Sequence, residues 1–300
     1  MHLTRCIALL ASLLPLTSVA QELSPRTYWP APVGTQLISA GLVFSEGDTV
    51  PDASLPVTGL DSSITTAYLA YARTLNLFGR SSNFIIELPY SDGDTQANHL
   101  ELGTLRRDYK GVGDIAATLS INLMGAPTMT REEFAVFRSN PKPMLGASLK
   151  VVAPTGKYDN DRIINVGANR WAAKAELGYM TVLHPRWLLE LELGAWFFGD
   201  NDDLLGRTRE QDPIYAAEVH LVHRFKPGFW ASLDLNGYRG GTSTFDGRRL
   251  NDLQRDSKFG TTWVFPIARL QALKFSYVFG SVNDSDESFD VFSVSYQRLF

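Results

Sequence analysis

Charged and imidazole side chains recur at every second position of otherwise apolar stretches: Glu190 and Glu192 in RWLLELELGAWFFG, Glu218 and His220 in PIYAAEVHLVHRF, and Asp234 in GFWASLDLNGY. Lys150, Lys174 and Glu176 occupy equivalent places in two further segments, and Glu87, Asp114, Arg224 and Lys274 extend the set. A strand places such residues on one face, opposite Trp187, Leu189, Leu191 and Leu193. Two chemistries suit that face. The residues can line a narrow mixed-charge passage that polarises small solutes, or they can pair across neighbouring strands and plug the interior. A hydrolase needs a nucleophile beside a base, and His220 with Ser232 on the next strand is the nearest approach to one. A lone His beside serines reads better as a hydrogen-bonded wall residue. The chain has no HExxH, GxSxG or GxxxxGK segment, so no enzyme and no cofactor are expected. His99, His184, His220 and His223 share no ligand spacing with nearby carboxylates, and the acidic stretches DNDDLL and NDSDES lack the regular spacing of a calcium loop, so no metal is expected.

The elements that must carry these residues are strands. Alternation predicts them at 34–46, 63–77, 82–91, 112–125, 143–154, 169–183, 186–199, 213–225, 228–240, 256–267, 270–282 and 288–300. The first two are ambiguous in which face is apolar. Connections alternate in length: those near Phe78, at His184-Pro185, Lys226-Pro227 and Ala268-Arg269 are tight, while GKYDNDRIINVGAN, DNDDLLGRTREQD and GTSTFDGRRLNDLQRD are long and polar. Short turns on one rim and long loops on the other are the layout of an outer-membrane barrel, with the turns in the periplasm. One turn breaks the rule: MGAPTMTREEFAVFRSNPKP is long, and TREEFAVF predicts a short helix with Thr130 as N-cap.

Alternation alone does not say which face is inside, because a soluble barrel turns its apolar face inward. Three features favour the inverted, membrane arrangement. Twelve strands would enclose a very large apolar core, the aromatics Trp187, Phe225 and Phe229 stand beside tight turns as a girdle does, and no window offers the ~18 apolar residues of a spanning helix. Met1 to Ala20 reads as a cleaved secretory leader, with Arg5, the run IALLASLLPL and a small-residue site at Ser18-Val19-Ala20. The remainder, 21–300, is expected to be one domain. The only cysteine, Cys6, leaves with the leader, which excludes disulfides and thiolate chemistry. The formal net charge is −4, one unit more negative without Arg5, which argues against nucleic acid. The fold class is therefore all-β: a transmembrane antiparallel barrel of about twelve strands, in the bacterial outer membrane. Backbone polar groups find no partner in lipid, so the last strand must pair with the first. The final FSVSYQRLF resembles the terminal signal read by barrel-assembly machinery, although Arg298 interrupts its apolar alternation. Expected partners are that machinery, outer-membrane lipids and small organic solutes.

From Ala153 to Tyr179 the chain resembles an outer-membrane transporter family associated with the meta-pathway of phenol degradation. The resemblance rests on Pro154, Thr155 and Gly156 before Tyr158, then on Asn165, Gly167, Asn169, Arg170 and Trp171, with further matches at LFGRSS, LPYSDG and GVGDIAATL. It departs at Ala175, where the family's proline is expected. The resemblance implies a barrel that passes small organic compounds, aromatic or hydrophobic ones among them. Alternatives are a plugged structural or surface-binding barrel and a lipid-modifying barrel enzyme. At the start of strand six, Arg170 with Asn165 and Asn169 is placed to brace the long loop against the wall or to touch solute.

Overall fold

In the computed structural model, residues 24–48, 61–99, 103–281 and 288–300 are described. The expected leader and the acidic NDSDES stretch fall outside them, apart from Ser288. The wall begins with β1 (Gln36–Asp48), β2 (Asp61–Leu77) and β3 (Arg80–His99), followed by β4 (Gly103–Val112) and β5 (Ile115–Met124). After the helix α1 (Arg131–Ser139) come β6 (Met144–Ala153), β7 (Ala172–His184) and β8 (Trp187–Phe198). Two short strands, β9 (Asn201–Leu204) and β10 (Arg207–Gln211), precede β11 (Ile214–Lys226) and β12 (Phe229–Gly240). Two more, β13 (Ser243–Phe245) and β14 (Arg248–Arg249), precede β15 (Gln254–Ala268), β16 (Gln271–Ser281) and β17 (Ser288–Leu299).

Each wall strand pairs antiparallel with its neighbours, and β1 closes on β17 in a register running from Leu37↔Leu299 to Gly47↔Phe289. Closure leaves no edge to lipid. Both β4 and β5 pair with β3, so they form one interrupted strand and the wall is a closed barrel of twelve. The strand expected at 112–125 is present as β5, β4 lies in the stretch expected as loop before it, and Pro89 explains the break between them. The carbonyl of Pro89 accepts Gly113 N–H at 2.9 Å, so the side where an N–H is missing faces the β4–β5 strand. The ladder lapses at Gly113-Asp114, which frees Asp114 for other work. At Ala175, where a proline was expected, β7 runs on without a break.

The outward face is apolar: Leu69, Leu149, Leu177, Leu193, Leu233 and Leu235 are each more than half exposed. For β1 this settles the ambiguous face, with Ile38, Leu42 and Phe44 outward and Ser39 inward. Near the turn rim Phe225, Phe229, Trp263 and Phe265 stack at 4.4 to 6.1 Å between centroids, an interfacial girdle. Phe292, Tyr296 and Phe300 continue the outer face on the closing strand, and the Arg298 guanidinium lies 5.1 Å from the Phe300 ring. Such a surface requires a bilayer. Leu235→Arg, at mid-strand on this face, is expected to cost about 2–4 kcal/mol of folding free energy in lipid vesicles, read from guanidinium titration.

The long turn holds the helix predicted from Thr130. The Thr130 hydroxyl accepts Glu133 N–H at 3.3 Å and the Glu133 carboxylate accepts Thr130 N–H at 2.8 Å, a reciprocal capping box. Phe137 packs edge-on against Trp29 at 6.0 Å, and Arg224 donates to the Arg138 carbonyl at 2.8 Å, so α1 is tied to the turn rim.

Candidate functional site

The lumen is layered. Near the turn rim Ala126, Met144, Met180, Leu188 and Val222 form an apolar floor on which Trp29, Phe137 and Trp230 rest. Near the loop rim Ala116, Val152, Ala172, Trp196, Ile214, Ala216 and Tyr238 form a second apolar layer. Glu176, Glu190, Glu192, Glu218, His220 and Asp234 lie between them, all buried. Sequence alternation places these six on one face but misses the apolar layers on that same face. Their only signal is phase, since Leu188 and Trp196 share the parity of Glu190 and Glu192.

Part of the interior is filled by the chain's own segment 24–35, which carries no strand periodicity. Tyr28 is 5% exposed, and its hydroxyl donates to Glu176 Oε1 at 3.0 Å. Its ring lies in a cradle that only glycine permits, because a Cβ on Gly146 or Gly178 would approach ring carbons to 2.1 Å. The amide of Arg26 donates to Glu190 Oε2 at 2.6 Å, and its guanidinium lies 4.4 Å from the Trp29 ring and 4.9 Å from that of Trp230. Asn122 Nδ2 donates to the Tyr28 carbonyl at 3.1 Å. The segment is an internal plug that touches β5, β6, β7, β8 and β12 and is bonded at Gly34 and Thr35 to Thr74 on β2.

Beside it a cavity of about 590 Å³ lies against β1–β3 and β5–β8, with single side chains of β11 and β16 and the end of β17 completing its lining. Its lining runs from Thr35, Arg73, Gln297 and Leu299 near the turn rim to Pro89, Asp114, Val152 and Trp196 near the loop rim. One flank is apolar (Leu37, Val43, Ala70, Ala72, Ile85), and the other carries Glu87, Lys150, Lys174, Glu176, Glu192 and Glu218. Apart from Glu192, the charges on that flank are paired. Lys150 meets Glu87 at 3.0 Å, and Lys174 bridges Glu176 at 2.5 Å and Glu218 at 3.2 Å. Glu190, His220 and Asp234 stand away from the cavity, on the plugged side. There His220 Nδ1 donates to Asp234 Oδ1 at 2.8 Å, while Ser232 and Thr262 hydroxyls donate to Asp234 Oδ2 at 3.0 and 3.2 Å. Ser232 therefore serves Asp234 and is not activated by His220.

The residues of the Pro-Thr-Gly to Asn-Arg-Trp motif assemble away from this centre, in the loop between β6 and β7. The Thr155 hydroxyl accepts Ile115 N–H at 3.0 Å, and the Asp114 carboxylate accepts Gly156 N–H at 2.7 Å and Ala168 N–H at 2.8 Å. Pro154 opens the loop. Asn165 donates to the carbonyls of Asp159 and Arg162, and Asn169, at φ 53°, donates to Asn201. Arg170 is buried, with its guanidinium 4.5 Å from the Phe198 ring and bonded to Gln211, whereas Trp171 is 59% exposed. A four-stranded sheet in the order β14-β13-β10-β9, absent from the sequence expectations, joins two further loops to this one. Asn201 links them by donating to Tyr158 Oη at 3.0 Å and to the Ala168 carbonyl at 3.1 Å. Burial, with Arg170 close by, holds the Arg209 guanidinium well below its usual range, and burial pushes the Asp252 carboxyl up.

The comparisons with known proteins agree with this architecture. The profile of the family described as "Putative MetA-pathway of phenol degradation" matches residues 42–286. Among solved structures, the COG4313 outer membrane channel from Pseudomonas putida F1 is similar at a TM-score of 0.76 and 22% identity, over 93% of this chain and 100% of that one. The transport unit of the autotransporter AIDA-I from Escherichia coli is similar at 0.53 and 9% identity, over 98% of this chain and 96% of that one. No curated protein matches the sequence significantly.

Proposed function

From the premise that the chain belongs to the MetA-pathway phenol-degradation family, we propose that it is a passive outer-membrane channel for small organic compounds, aromatic ones among them. The observation that carries this reading is the cavity beside the plug, with one apolar and one charged flank. A ring with a hydroxyl or carboxylate substituent satisfies both flanks, because the ring lies against Leu37, Ala70 and Ile85 while the substituent faces Lys150 or Lys174. At about 590 Å³ the space falls within the range of small-molecule pockets, and it is too narrow for a bulk-water pore of sixteen or more strands.

A second reading, a plugged barrel whose loops do the work, draws support from the N-terminal segment and from the loop sheet. Planar bilayers separate the two. A channel raises current in discrete steps, and liposomes containing it swell faster in benzoate than in gluconate. Silence across several salts and voltages, with no swelling in either solute, would establish the plugged reading instead.

A further inference from the structure

We propose that Glu192, Glu218 and His220 form a binding site for one divalent first-row transition ion of the zinc type, set into the lumen wall beside the cavity. One oxygen of each carboxylate and one imidazole nitrogen lie within 4.8 Å of one another, and all three residues are at least 97% buried. Two atoms in this group lack a hydrogen-bond partner: Glu192 Oε1 and His220 Nε2. Leaving such groups unpaired in a dry interior is costly.

The register sharpens the case. Glu192 and Glu218 stand directly opposite each other on β8 and β11, a placement that is repulsive unless a cation lies between them. Lys174 only partly meets the need. It takes Glu218 Oε1 at 3.2 Å and is held away by Glu176, leaving Glu218 Oε2 turned toward the imidazole. His220 Nε2 is 3.6 Å from that oxygen, too far for a hydrogen bond. Two ligands each ~2.0–2.1 Å from a tetrahedral ion lie about 3.3 Å apart, so this pair is near that spacing and a bound ion would draw the group of three, now within 4.8 Å, inward.

The surroundings match what a bound ion needs. Asp234 accepts the Nδ1 proton of His220, which leaves Nε2 with its lone pair turned to the carboxylates, and Ser232 and Thr262 fix Asp234 in turn. Two carboxylates with one imidazole suit zinc, cobalt or manganese better than calcium or magnesium, which favour oxygen alone. Glu192 and Glu218 also line the cavity, so water or solute can reach the remaining coordination position.

The test uses the full-length folded protein in detergent, stripped with EDTA and titrated with Zn²⁺ and, separately, Co²⁺. Expected are one ion per chain and, for Co²⁺, visible bands of nitrogen and oxygen ligation. Glu192→Gln should abolish saturable binding, and Asp234→Asn should weaken it by about 10- to 100-fold as an orienting partner does. Glu210→Gln, in an exposed position of the loop sheet, should bind as the wild type does. Folding of each variant is read from its heat-sensitive gel mobility. The Co²⁺ spectrum of the wild type decides the matter even where a variant fails to fold. No saturable Zn²⁺ binding and no Co²⁺ bands, or equal binding by folded Glu192→Gln, would overturn the site. Because binding is read directly, this outcome is independent of whether the barrel conducts.

Discussion

Deletion of residues 24–33 raises the single-channel conductance, since a twelve-stranded interior is wider than the eight-stranded one that side chains alone can fill. The cavity occupies only the space the plug leaves, because the plug is held in the lumen with Tyr28 against Gly146 and Gly178 and with Arg26 on Glu190. Removing it adds cross-section and exposes Glu190 without the amide that now caps it. The newly opened side adds Glu190 and Asp234 against His220, so selectivity shifts toward cations, visible as a change in reversal potential across a salt gradient. A steric variant reaches the same state with the chain intact. Gly146→Val with Gly178→Val leaves no room for the Tyr28 ring, where even a Cβ would come within 2.1 Å, so the segment leaves the lumen and trypsin gains access to the bond after Arg26. Unchanged conductance in both variants, with the barrel folded, would show that the plug already swings out of the path in the membrane.

How much of this was legible in the sequence depends on how far apart the partners lie along the chain. The wall was readable because lipid imposes strict alternation on every strand, and the turn helix because Thr130 and Glu133 are three residues apart. The pairing of His220 with Asp234 was within reach as well. These residues flank a tight turn at Lys226 to Phe229, and a tight turn sets the register. Glu192 and Glu218 are different, because a long loop with its own strands separates β8 from β11 and leaves the register free. The chain shows that both face inward but not that they face each other. The plug was illegible for a related reason. Its recognition lies in two glycines more than a hundred residues away, and a glycine inside a strand gives no hint of what approaches it. The loop sheet escaped notice because strands of two to five residues carry no period.

Asp114→Ala unfastens the β6–β7 loop while leaving the wall intact. Each carboxylate oxygen of Asp114 serves a different arm of the loop, Oδ1 accepting Gly156 N–H and Oδ2 accepting Ala168 N–H. Hydrogen bonds to a charged group contribute ~1.5–3 kcal/mol each, so losing both costs the loop about 3 kcal/mol or more, on the order of a hundredfold in its opening equilibrium. The two arms also touch directly. A Cβ on Gly156 would lie 2.8 Å from the Gly167 Cα, so only glycine backbones meet there and no side-chain packing replaces the lost bonds. The β5 ladder does not depend on Asp114, because the residue stands in the gap opposite Pro89, outside both β4 and β5. Amide exchange at Gly156 and Ala168 therefore accelerates by roughly that hundredfold, and trypsin cuts after Lys157 or Arg162, while barrel melting moves little. Asp114→Asn separates charge from shape: its amide keeps one accepting oxygen but presents N–H groups to the second backbone N–H, so it repairs one arm and repels the other. Exchange that slows at only one of the two amides in Asp114→Asn, relative to Asp114→Ala, is the signature of a single carboxylate spanning both arms. Equal protection in all three proteins would mean that the other ties, among them those of Asn201 and Thr155 and the Lys157 N–H to the Val112 carbonyl, hold the loop in place without Asp114.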